Sequence, residues 1–246
     1  MLYYLFIKLN FLMLPPPKFK TNIFSFFILC FLIIPNISLG QQFFRVEADI
    51  SIKTKNFDGS YQLSMGRIYY DKNIQKLVYE FIFPEKETWV IKDTFVYKFA
   101  NNKLYAQTKS LPLIKSTIFH LSLNGSLSNF GLSSNIYEIT NVEKDQGQII
   151  TTWETKEDFG DLGKVMISNK NKELFGVIFF NSKDKMLGKQ FYKKYTIVNN
   201  LNFPTEIVQI MYLDGKENHQ ITTFKNIEVN NIKNENYYNY PLPASK

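Results

Sequence analysis

Phe44-Arg45-Val46-Glu47-Ala48-Asp49-Ile50-Ser51-Ile52-Lys53 is the stretch that decides the fold class. Apolar and polar residues alternate strictly through it. A period of two places Phe44, Val46, Ala48, Ile50 and Ile52 on one face of a strand and the polar residues on the other, the pattern of an antiparallel strand with one buried face. The same rhythm runs outward from it. Asn56 to Gly59 supplies turn chemistry, Tyr61, Leu63 and Met65 lead into Ile68-Tyr69-Tyr70, and Asp71-Lys72-Asn73 turns the chain again. In the next strand Leu77, Tyr79, Phe81 and Phe83 share a face, Val78 and Ile82 flank Glu80 on the other, and Pro84 ends it. Trp89-Val90-Ile91 and Phe95 to Phe99, joined at Lys92-Asp93, read as a hairpin. Seven further strand patterns lie between Ile136 and Val229, separated by Asn, Asp, Gly and Lys clusters such as Lys144 to Gly147 and Asp214-Gly215. About eleven strands with short connections make a mainly β protein, not an α/β fold.

One segment breaks the period. Ser110 can cap a helix with Pro112 in its first turn, in which Leu113, Ile114, Thr117, Ile118 and Leu121 share a face and Asn124-Gly125 is the stop. Residues 234–246, with Pro241 and Pro243, read as an extended C-terminal tail.

The first forty residues are of another kind. Ile23 to Ile34 is a run of twelve residues, apolar except for Ser25, that follows Lys18 and Lys20 and precedes Pro35 and Ser38-Leu39-Gly40. That is the build of a secretory signal peptide, with cleavage after Gly40. A membrane-spanning helix needs about 20 apolar residues, and Pro15-Pro16-Pro17-Lys18 separates this run from the apolar segment before it. The start could equally be Met1 or Met13. The organisation expected is a signal peptide over 1–40, a β domain over 41–233 and the tail over 234–246. Cys30, the only cysteine, falls within the leader, so the exported chain has no disulfide, thiol nucleophile or thiolate metal site. The net charge of +7 includes three leader lysines (Lys8, Lys18, Lys20) and no leader acid, which leaves +4 on the remainder. No basic stripe marks a nucleic-acid surface.

Chemistry-bearing constellations are sparse. His120 and His219 stand about a hundred residues apart without metal-ligand spacing. Glu154, Glu157, Asp158 and Asp161 are interleaved with Lys156 and Lys164, as in a solvated loop. The chain carries no nucleophile elbow, Walker loop or dinucleotide fingerprint. These readings point away from an enzyme and from any cofactor or metal. The surplus is apolar: 16 of the 23 phenylalanines lie beyond the leader, and Leu77 to Phe99 is apolar on both faces. Such a sheet encloses a cavity, packs an outer face on a partner, or has a filled core with scattered exposed aromatics. The candidate cavity lining is Phe44, Val46, Ile50, Leu63, Leu77, Tyr79, Phe81, Trp89, Ile91, Phe95 and Tyr97 from the strands, with Ile114, Ile118 and Leu121 from the helix.

The order of Gly66-x-Ile68-Tyr69-Tyr70, Tyr79-Glu80-Phe81-x-x-Pro84, Trp89-Val90-Ile91-x-Asp93, Phe95-x-Tyr97, Ile118-Phe119, Ile136-Tyr137 and Phe203-Pro204-Thr205-Glu206-Ile207 resembles the LolA-like periplasmic lipoprotein carriers. The resemblance spans Phe44 to Val229. It implies a curved antiparallel half-barrel closed by one or two helices over an apolar cavity. It also implies a monomeric periplasmic carrier of lipoprotein acyl chains or another lipid, in a Gram-negative-type envelope. Its partners would be an inner-membrane release protein and an outer-membrane acceptor, and neither a cofactor nor nucleic acid is implied. The chain departs from the family where strand one follows the leader without a helix, and where Lys76-Leu77-Val78 stands in place of an arginine that ties down the lid. The alternative is an envelope sensor or interaction protein that uses the same face to bind a protein segment.

Overall fold

The computed structural model describes residues 42–109 and 113–243, so the expected leader lies outside the described residues, as do Ser110 and Pro112. Thirteen strands occur among them: β1 (Arg45–Lys55), β2 (Tyr61–Asp71), β3 (Lys76–Phe83), β4 (Glu87–Lys92), β5 (Phe95–Ala100), β6 (Lys103–Lys109), β7 (Tyr137–Asp145), β8 (Gln148–Thr155), β9 (Leu162–Lys170), β10 (Glu173–Asn181), β11 (Met186–Val198), β12 (Leu201–Leu213) and β13 (Lys216–Val229). All join one antiparallel sheet in the order β6-β5-β4-β3-β2-β1-β13-β12-β11-β10-β9-β8-β7. Two meanders are thus joined through β1 and β13, and β6 and β7, neighbours in sequence, form the two open edges. The sequence pattern shows about eleven strands, and β6 is one it does not show. As an edge strand with no buried residue it carries no alternation to read.

Residues 113–136 link the two edges across one face. They include a 3-10 turn (Leu113–Ser116) and helix α1 (Ile118–Leu123). One hydrophobic cluster gathers α1, the loop after it and residues of β3, β2, β1, β13, β12, β11, β10 and β9. Laid flat, eight strands would span about 34 Å, whereas a helix is only about 10–12 Å across. The sheet must therefore roll around the helix while remaining open. This is the curved, helix-closed sheet expected from the sequence.

Two irregularities re-aim side chains. The two-residue turn Asp93-Thr94 pairs Lys92 with Phe95 and Val90 with Tyr97. Directly paired residues share a face, so Phe95 and Tyr97 lie opposite Trp89 and Ile91, not beside them as the sequence reading has it. In β3, Met65 pairs with Phe83 and Gly66 with Phe81, which leaves Ile82 as a bulge. Phe83 therefore leaves the face of Phe81. Gly66 is required at this step because a Cβ there would lie 2.1 Å from the Glu80 carbonyl oxygen.

The other face is covered in part by the C-terminal segment, which is not the extended tail expected. Helix α2 (Glu235–Tyr238) places Tyr238 in a second cluster with Tyr69, Val78, Val90 and Phe99. Tyr237 stacks on Tyr69 at 4.5 Å. Beneath α2 lies Glu47, fully buried, and its carboxylate accepts bonds from Arg67, Asn231, Asn234 and Tyr238. Burial alone would raise its pKa, but the bonds from Asn234, Arg67 and Tyr238 outweigh it and hold the group below the usual carboxylate range. Arg45 ties the same segment down, bonding Asp71 and Glu235 with its guanidinium 4.4 Å from the Tyr238 ring centroid. A polar address for α2 stands in a strand whose alternation marks only outward residues.

Candidate functional site

The helix-bearing face is built around α1. Thr117, in extended conformation, caps it by accepting from the His120 N–H at 3.3 Å. Asn124 ends it, and Gly125 follows at φ 65°. The helix is shorter than the sequence pattern suggests, since the chain ahead of Thr117 turns as 3-10. It is also buried more widely. Ile118 and Leu121 face the sheet as expected, and Phe119, Ser122 and Leu123 are buried with them. Their floor is aromatic: the Phe119 ring lies 5.9 Å from Phe203 and 5.4 Å from Phe224, which are 5.6 Å from each other, and 6.2 Å from Tyr70.

Of the residues picked from sequence, Val46, Ile50, Leu77, Phe81, Ile118 and Leu121 meet in this cluster at 8% exposure or less. Tyr79, Trp89 and Ile91 pack against it. Phe81 stacks on Tyr79 at 5.7 Å and meets Trp89 edge-on at 5.1 Å, and Lys98 places its ammonium 3.9 Å from the centre of the Trp89 ring. Burial pushes the Tyr79 hydroxyl up to about 12. Four picks fall elsewhere. Phe44 precedes β1, half-buried beside the Arg45 guanidinium, while Phe43 packs against the cluster instead. Leu63 pairs with Lys53 on the opposite face, and Phe95 and Tyr97 are turned there by the hairpin. The side chain of Ile114 lies outside the described residues. Sequence reasoning missed Tyr70, Phe119, Phe203 and Phe224. Tyr70, Phe119 and Phe203 stand in the motifs that carry the resemblance, whereas Phe224 had no signal, because pairing across the β1–β13 seam is invisible to local periodicity.

The polar ties between lid and floor are few. Tyr70 Oη lies 2.7 Å from His120 Nδ1, and Lys72 Nζ donates to the Leu123 carbonyl at 3.2 Å. Burial, with Lys115 and Lys72 nearby, lowers the His120 pKa. A depressed histidine stabilises the native state above its unfolded value and loses that contribution as pH falls through its folded pKa. Acidification from about pH 6.5 downward is therefore expected to loosen α1. Thermal midpoints at pH 7.5 and 5.5 should fall measurably for the wild type and less for His120→Gln. Equal falls in the two proteins would assign the effect elsewhere. Among the described residues no group of His, Cys, Asp and Glu is placed to hold a metal ion.

No family model matches the chain, and no curated relative matches it. Solved structures do. A LolA superfamily protein from Nitrosomonas europaea superposes with a TM-score of 0.54 over 80% of this chain and 90% of its own, at 12% identity. A DUF1329 family protein from Desulfovibrio piger gives 0.57 over 81% and 91%, at 11% identity. A domain named as an outer membrane lipoprotein-sorting protein from Vibrio parahaemolyticus gives 0.56 over 79% and 89%, at 12% identity. With the open rolled sheet and the helix laid across it, these matches show that the chain has a LolA-like fold.

Proposed function

We propose that the protein is a periplasmic carrier that holds the acyl chains of a lipoprotein, or a related amphiphile, against the aromatic floor beneath α1. The observation that carries this reading is the way α1 is attached. Six residues, joined to no strand by backbone pairing among the described residues, cover the floor through apolar side chains and the ties of His120 to Tyr70 and of Leu123 to Lys72. Burying Ile118, Phe119, Leu121 and Leu123 contributes roughly 6–12 kcal/mol, and an acyl chain contributes about 0.8 kcal/mol per methylene, so about 15 methylenes give about 12 kcal/mol. Lid and ligand are thus comparable occupants of one surface, as reversible loading and release require. Catalysis is not needed. An inner-membrane release protein and an outer-membrane acceptor are the partners such a cycle uses.

The test is binding of 11-(dansylamino)undecanoate by delipidated protein lacking residues 1–40. Ile118→Asp places an unpaired carboxylate at a buried position, a cost of several kcal/mol that the chain escapes by undocking α1. The wild type should bind the probe and Ile118→Asp should bind it more tightly. Absence of binding by both would withdraw the carrier reading in favour of a protein-binding module.

A further inference from the structure

The face opposite α1 carries two adjoining clefts that the lid mechanism leaves unused. One, of about 570 Å³, is lined by residues that include Lys53, Lys55, Tyr61, Leu63, His219 and Ile221. The other, of about 820 Å³, shares Lys53 and Ile221 and continues past Met65 and Ile82 to Arg67 and Glu80. Both volumes are those of small-molecule sites. The bulge at Ile82 forms one wall, since it bends β3 at the step where Gly66 lets the strands close up. Tyr237 of α2 bonds Glu80 at the far end.

The charges in this cleft are not balanced. Asp49 is held by Arg67 and Asn226, Glu80 by Tyr69 and Tyr237, and Glu206 by Lys194. Arg67 is spent on Glu47, Asp49 and Glu228. Lys53, Lys55 and Lys225 form no ion pair among the described residues. Lys53 and Lys55 stand two residues apart on one strand face, about 7 Å from each other along the backbone. Beside them, directly across the ladder, are Leu63, Tyr61 and Ile221, and Tyr61, Met65, Ile82 and Ile221 are all exposed. Among the described residues Lys55 has only the Tyr61 ring, 6.0 Å from its ammonium, as a partner, and an apolar cleft that begins at two cations without an ion pair matches one kind of molecule.

We propose that this cleft is a second lipid site, which takes a single-chain amphiphile with an anionic head, the head beside Lys53 and Lys55 and the chain over Ile221, Met65 and Ile82. The site lies on the face away from α1, so the proposal stands apart from the carrier reading. Its geometry is a trough, which suits an inserted chain better than the flat surface of a bilayer.

Titration of the protein lacking residues 1–40 with dodecyl phosphate and with uncharged dodecyl maltoside, both below micellar concentration, tests it. The wild type should prefer the phosphate. Lys53→Glu/Lys55→Glu, both exposed positions, should weaken phosphate binding about tenfold with an unchanged denaturation midpoint, and Ile221→Ser should weaken both ligands. Ile118→Asp should leave the lysine-dependent part of this binding as it is. Phosphate binding that survives the lysine changes but responds to Ile118→Asp would place the ligand under α1 and overturn the second site while leaving the carrier reading intact. Lysine-dependent binding to phosphatidylglycerol vesicles without binding of dodecyl phosphate would make the surface a bilayer contact and overturn it as well.

Discussion

Arg67→Ala is expected to lower the free energy of unfolding by about 3 kcal/mol, measured as a shift of the urea midpoint at constant slope. Glu47 is fully buried and Arg67, a quarter exposed, is its only charged partner among the described residues. Removing one member of a buried pair leaves an uncompensated charge, which costs about 3–5 kcal/mol. The lower end applies because Asn231, Asn234 and Tyr238 still donate to the carboxylate. Those three donors all come from the segment that carries α2, so the variant should also loosen residues 231–243 in hydrogen exchange. A loss below about 1 kcal/mol would mean that the amides and the tyrosine satisfy Glu47 unaided.

Phe203→Ala should cost about 3–5 kcal/mol, the lost burial of a ring plus the void left behind. Phe203 is fully buried, is supported by strand pairing in β12, and touches both Phe119 and Phe224. No cheap rearrangement removes it from the core. Phe119→Ala on α1 should cost distinctly less, because a helix held by side chains and not by strand pairing can shift to close the void. Equal costs at the two positions, read from the same denaturation experiment, would make α1 an integral part of the core and count against its role as a lid.

These contrasts reflect what local sequence can and cannot encode. The strict alternation of Val46 to Ile52 placed β1 with one buried face, and the structure keeps Val46, Ala48 and Ile50 in the core. The strands from β1 to β5 were readable for the same reason. So was α1, through Ile118, Leu121 and the Asn124-Gly125 stop. Side-chain direction along one strand is a property of the backbone, with a period of two that needs no partner.

What lay beyond reach was every decision made between segments. Alternation cannot say that a two-residue turn at Asp93-Thr94 reverses the faces of Phe95 and Tyr97, or that an extra residue at Ile82 turns Phe83 away from Phe81, because both follow from register. The aromatic floor joins Tyr70 to Phe203 and Phe224 across the β1–β13 seam, with well over a hundred residues of chain between them. The outward-facing Glu47 looked solvated and is buried, since α2 returns from the far end of the chain to bond it. By itself the sequence determined the fold class, the strands other than β6, and α1; tertiary structure alone decided which face closes under α1, what covers the other, and which charges form no ion pair. The physical reason is that strand and helix periods are local, whereas burial and charge pairing are set by the segments that the rolled sheet brings together.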